Sequence, residues 1–89
     1  MLLRSPREGE VETSSIFLIM QSEAVQNDKI QVAFDEAVIQ FPWRIAEIIK
    51  TERVEILLNY FKSAIEGIIH MEVDEYIERC RIRIQKELF

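Results

Sequence analysis

The sequence predicts an all-α protein, a compact bundle of three to four helices behind a flexible N-terminal tail. Three observations point there. Of the 89 residues, 48% are hydrophobic, too many for a chain that stays disordered throughout. Apolar residues recur at three- and four-residue steps over most of residues 28–88, the spacing that lines one face of a helix. Only 2 Gly and 2 Pro occur, whereas a β-sandwich or barrel needs turn chemistry about every 8–12 residues.

Residues 1–14 read as a tail. They carry Pro6, Gly9 and five charges, with no sustained apolar period. Residues 15–89 read as a single helical domain. Segment 15–26 is assigned as a helix capped by Ser14 or Ser15, with Ile16, Phe17, Met20 and Ala24 on one face. Its β-branched and aromatic run also permits a short strand near 15–21, because periodicity does not separate the two in so short a stretch. Segment 28–41 opens on Asp28 with Gln31 three residues later, the spacing of a capping box. Ile30, Ala33, Phe34, Ala37, Val38 and Phe41 form its inward stripe.

Pro42 ends that helix, since it lacks an amide donor and pushes Phe41 out of the α region. Proline also suits a first helical position, so a new helix starts near 42 and turns Ile45, Ile48 and Ile49 inward. Thr51-Glu52-Arg53 interrupts the pattern. Either the helix continues through it or Thr51 caps a fresh one, with a stripe of Val54, Leu57, Leu58, Phe61, Ile65 and Ile68. Gly67 and a loss of phase at His70-Met71 predict a break. The last helix, 73–88, turns Val73, Tyr76, Ile77, Cys80, Ile84 and Leu88 inward. Asp74, Glu75 and Glu78 crowd its start and Arg79, Arg81, Arg83 and Lys86 its end, as the helix dipole favours.

Composition excludes several function classes. One Cys excludes a disulfide scaffold, and one Cys with one His excludes a zinc finger. Two glycines do not build a phosphate loop or a nucleophile elbow. Glu66, His70 and Asp74 would share a helical row, but no fourth ligand is visible, and His70 reads as a polar helix end. Cys80 reads as a small buried hydrophobe. No catalytic residue, cofactor or metal is therefore expected. No apolar leader follows the first charges, and the longest apolar run, Ile16 to Met20, is far short of the roughly 20 residues of a spanning helix. The expected setting is the cytoplasm, with no membrane partner.

Nucleic acid is disfavoured as a partner. The net charge is -5, and across 42–70 the bases Arg44, Lys50, Arg53 and Lys62 are balanced by Glu47, Glu52, Glu55 and Glu66. Residues 45–54 resemble a degenerate helix-turn-helix, the alternative reading of a DNA-binding regulator. Its second helix, however, opens on acids and continues into Ile56, Leu57 and Leu58.

The leading expectation is an acidic, non-enzymatic interaction or regulatory protein that binds itself, as a homodimer, or another protein. Ile56 and Tyr60 fall off the main stripe of their helix, and Ser63 and Gly67 extend that second face with side chains small enough for close approach. Ile82 and Phe89 fall off the stripe of the last helix. A chain of this size does not readily cover helices that are apolar on two sides. The competing reading makes 51–70 a central helix enclosed by its own neighbours. Trp43 beside Arg44 reads first as a core anchor and second as a recognition spot.

Overall fold

The computed structural model describes residues 14–51 and 53–89, and the tail expected over 1–14 lies outside it except for Ser14. Among the described residues there are five helices and no strand: α1 (Ser15–Ala24), α2 (Asp28–Gln40), α3 (Pro42–Thr51), α4 (Val54–Ile69) and α5 (Asp74–Leu88). The fold is all-α as expected, but the number of helices exceeds three to four. The extra element arises because α3, ending at Thr51, and α4, starting at Val54, are separate helices; segment 15–26 is helical, as assigned, over Ser15–Ala24.

Local chemistry sets the ends. Ser14 Oγ accepts the Phe17 amide at 3.0 Å and starts α1. Asn27, not Asp28, caps α2: its Oδ1 accepts the amides of Lys29 at 2.9 Å and Ile30 at 3.3 Å. Asp28 instead occupies the first turn, where its charge meets the positive end of the helix dipole. Phe41 leaves α geometry at φ -134° and Pro42 begins α3, so the proline both ends one helix and opens the next. Thr51 closes α3 rather than capping α4, whose N-cap is Arg53. Gly67 lies within α4, and the break comes at His70, which adopts the left-handed conformation at φ 54°. Its amide donates to the Glu66 carbonyl at 2.9 Å, closing the helix in the manner usually given to glycine.

Four helices form a ring about the core: α1 packs on α2 and α5, and α4 packs on the same two. The α3 helix bridges α2 and α4. At the centre the rings of Phe34 and Phe61 stack at 4.6 Å and 17°, with Phe17 tilted against Phe34 at 5.3 Å. Such aromatic contacts add about 0.5–1.5 kcal/mol each beyond area burial. Tyr76 is buried on α5, and its hydroxyl donates to the Met20 carbonyl of α1 at 2.8 Å. That bond satisfies a phenol that would otherwise be costly to enclose. The inward stripes hold with two corrections. Phe41 and Leu88 were placed inward but are exposed, because each ends its helix where no neighbouring helix covers it. Ile19 is buried although the expected α1 face omitted it.

Candidate interaction face

Ion pairs dispose of most of the charge on α5. Glu23 of α1, only 13% exposed, accepts from Arg79 at 3.1 Å and from Arg83 at 3.2 Å. Arg81 reaches Glu55 of α4 with two hydrogen bonds of 3.0 Å, and this contact holds the Glu55 carboxyl below its ordinary range. Lys62 pairs with Asp74 at 2.8 Å, and Arg79 also meets Glu75, the i,i+4 pair evident from spacing. Three of the four bases at the end of α5 thus tie α5 to α1 and α4 or to its own acids.

The residues singled out for chemistry are placed unfavourably for it. The Cys80 thiol is enclosed, and burial pushes it up to about 12, so little thiolate forms near neutral pH. The α4 helix ends before His70, so Glu66, His70 and Asp74 do not share one helical row. Among the described residues no group of three His, Cys, Asp or Glu is placed to hold a metal ion. Among them, too, no helix is long and apolar enough to cross a membrane.

The six residues expected at an interface occupy three places. Ile56, Tyr60, Ser63 and Gly67 recur at three- and four-residue steps along the side of α4 opposite Leu58, Phe61 and Ile65, which are buried. Ile56 is 39% exposed, Ser63 and Gly67 are exposed, and a methyl built on Gly67 would meet nothing within 4 Å. The enclosing neighbours of the competing reading therefore do not cover this face. Tyr60 is half-buried. Ile82 lies opposite the buried stripe of α5. The Glu55–Arg81 and Lys62–Asp74 pairs occupy the flank of α4 turned toward α5, which is not the flank bearing Tyr60. Phe89, 83% exposed, lines a groove with Ile16 and the end of α3.

Beside Tyr60 lies an open hollow of about 350 Å³, walled by Phe41, Arg44, Ser63 and Ala64. The Tyr60 ring meets Phe61 edge-on at 5.4 Å, and the Arg44 guanidinium carbon stands 5.9 Å from its centroid, a cation–π geometry at the long end of the range. Its hydroxyl is buried and has no hydrogen-bond partner among the described residues. Burial raises the phenol's pKa, and the positive charge of Arg44 opposes that rise. Sequence reasoning did not find Phe41 for this surface. Trp43 is 58% exposed, so it is not the core anchor that was its first reading. The helical period placed Phe41 inward, but Phe41 is the C-cap of α2, out of α geometry, and half of its surface is exposed. Leu18 of α1 with Val25 at its C-cap, and Val32 with Ile39 on α2, add further exposed apolar pairs seven residues apart.

On α4, Leu57, Leu58, Phe61 and Ile65 face the core, and the first turn carries Glu55 toward Arg81. Comparison with protein-family models, with curated proteins and with solved structures returns no significant match.

Proposed function

We propose that this chain is a non-enzymatic interaction or regulatory protein that works through the outer face of α4, and that the face binds a second copy of the chain. The observation that carries the reading is the unpartnered side of α4: Ile56 and the ring of Tyr60 next to Ser63 and Gly67, with Phe41 and Arg44 across the hollow. Aromatic and Arg side chains around a hollow are the usual anchors of protein interfaces. The Tyr60 hydroxyl, buried with no hydrogen-bond partner among the described residues, gives an incoming polar group a bond to make. Ser63 and Gly67 let another helix come close. A two-fold arrangement uses each of these groups twice.

Ile82 and Phe89 belong to other surfaces and are left out of this face. The test is sedimentation velocity from sub-micromolar to sub-millimolar protein, on the wild type and on Ile56→Asp. The wild type is expected to associate as concentration rises. Covering the exposed 39% of Ile56 is worth about 0.6–1.2 kcal/mol per copy, at about 1.5–3 kcal/mol for a whole side chain. Both copies lose it in the variant, which also brings two carboxylates into the contact, so dissociation should tighten its demand on concentration by roughly a hundredfold or more. A wild type that stays monomeric throughout, or a variant that associates as well as the wild type, would refute the proposal.

A further inference from the structure

Two charges on α3 adjoin the outer face of α4. Arg44 and Glu47 are both exposed and lie three residues apart, so they share one side of α3. Neither forms an ion pair among the described residues, and Arg44 stands over the Tyr60 ring instead. The arginines of α5, in contrast, all meet carboxylates. The α3 and α4 helices run past each other in opposite directions. Arg44 shares the hollow with Tyr60, Ser63 and Ala64, while Ile49, further along α3, shares a groove with Leu57. Three residues of α3 advance about 4.5 Å, which is also three residues of α4. Glu47 therefore stands level with the turn of α4 from Leu57 to Tyr60, on the flank of the face that Ile56 and Tyr60 form.

We infer that a second copy docks with its α4 antiparallel to the first, about a two-fold axis level with Tyr60, and that Arg44 of each copy pairs with Glu47 of the other. The inference rests on the α4 reading above and fixes its register. Two arguments select this arrangement. The first is charge. A two-fold axis across antiparallel helices brings the same flank of each copy together and reverses its order along the helix. The α3 flank then meets itself, and a base and an acid on either side of the axis each meet the opposite sign. Parallel helices would set that flank against the one turned toward α5, where Lys62 and Arg81 are already paired with Asp74 and Glu55. Glu47 finds no unpaired base there. The second argument is packing. With the axis level with Tyr60, Ile56 of one copy lies one turn before it and meets the second copy one turn beyond it. That is the stretch between Ser63 and Gly67, exposed and open enough to admit an aliphatic side chain. One register thus pairs both charges and seats the exposed part of Ile56. Two such pairs also offset part of the repulsion between copies that each carry a net charge of -5.

The test is sedimentation velocity of the full chain at fixed low ionic strength, where such pairs are least screened. It compares the wild type, Arg44→Glu, Glu47→Arg, and the two variants mixed in equal amounts. Each variant alone places two like-charged pairs in the contact, so its dissociation constant should rise about tenfold or more. In the mixture one chain carries acids at both positions and the other carries bases at both, so every pair between them is of opposite sign. Association should then return to the wild-type level. A role confined within one chain, such as support of the Tyr60 ring by Arg44, gives no such rescue on mixing. A mixture that associates no better than its components would overturn the inference. So would charge variants that associate as the wild type does; if Ile56→Asp still prevents association in that case, the α4 face stands and only the register fails. A wild type that stays monomeric would refute the α4 face and the register with it.

Discussion

Alkaline pH should destabilise this protein, beginning at a single thiol. Cys80 is fully enclosed at the contact of α5 with α1, where removal from water outweighs every other influence on it. The nearby Tyr76 hydroxyl and the charges of Arg79 and Arg83 favour the thiolate, and Glu23 opposes it; the balance leaves the thiol at about 12 against an ordinary 9.0. In the unfolded chain the thiol ionises near 9.0, while in the native protein it stays protonated. Between those values the unfolded state binds fewer protons, so stability falls as pH rises. The contribution is intact below pH 9.0 and is lost progressively up to about 12, at about 1.4 kcal/mol per pH unit and about 4 kcal/mol in all. Tyr76 adds a second loss of the same sign, but only above 10.0, its ordinary value, because burial holds the phenol neutral well beyond that. The interval between 9.0 and 10.0 therefore isolates the cysteine. Cys80→Ala should cost about 1 kcal/mol at neutral pH for the lost packing. Its stability should then stay nearly level through that interval while the wild type declines. Urea titrations followed by helical circular dichroism, at closely spaced pH values, make the comparison. Parallel curves for the two proteins would refute the reasoning.

Four other outcomes follow from the packing. Tyr76→Phe keeps the ring and removes the bond to the Met20 carbonyl, and it should lower unfolding stability by about 0.5–1.5 kcal/mol in the same titration. Glu23→Gln takes the charge from a carboxylate that serves both Arg79 and Arg83, and it should cost about 1 kcal/mol, lessened by salt. Glu75→Gln, at an exposed carboxylate on the same α5, should leave thermal unfolding unchanged. Gly67→Ala should raise the stability of the dilute protein by about 0.8–1.0 kcal/mol, since alanine is the better helix former and its methyl meets nothing. The same methyl should weaken self-association severalfold in sedimentation if a second helix lies close at that point.

How much of this was legible beforehand varies along the chain. The buried stripe of α5 through Tyr76, Ile77, Cys80 and Ile84 follows from period alone, because a regular helix repeats its geometry at every turn. The start of α3 follows from Pro42, whose ring fixes the backbone whatever surrounds it. The cap of α2 was misplaced by one residue because Asn27 and Asp28 offer nearly the same acceptor, and only backbone direction selects between them. Phe41, Trp43 and Leu88 were misjudged for a different reason. Their positions on a helical wheel are inward or ambiguous, and their exposure depends on where the neighbouring helices stop.

Local sequence, then, determined that this chain is helical, where most helices begin and end, and which side of each one is oily. Those properties depend on backbone sterics, on hydrogen-bond donors and acceptors within a few residues, and on a fixed angular repeat. The tertiary structure decided that Tyr60 shares a hollow with Phe41 and Arg44, that Glu23 gathers two arginines from a helix more than fifty residues away, and that Ile82 and Phe89 stand apart from the α4 face. The physical reason is that a helix's own repeat says which way a side chain points, but only the arrangement of the other helices says what it meets there.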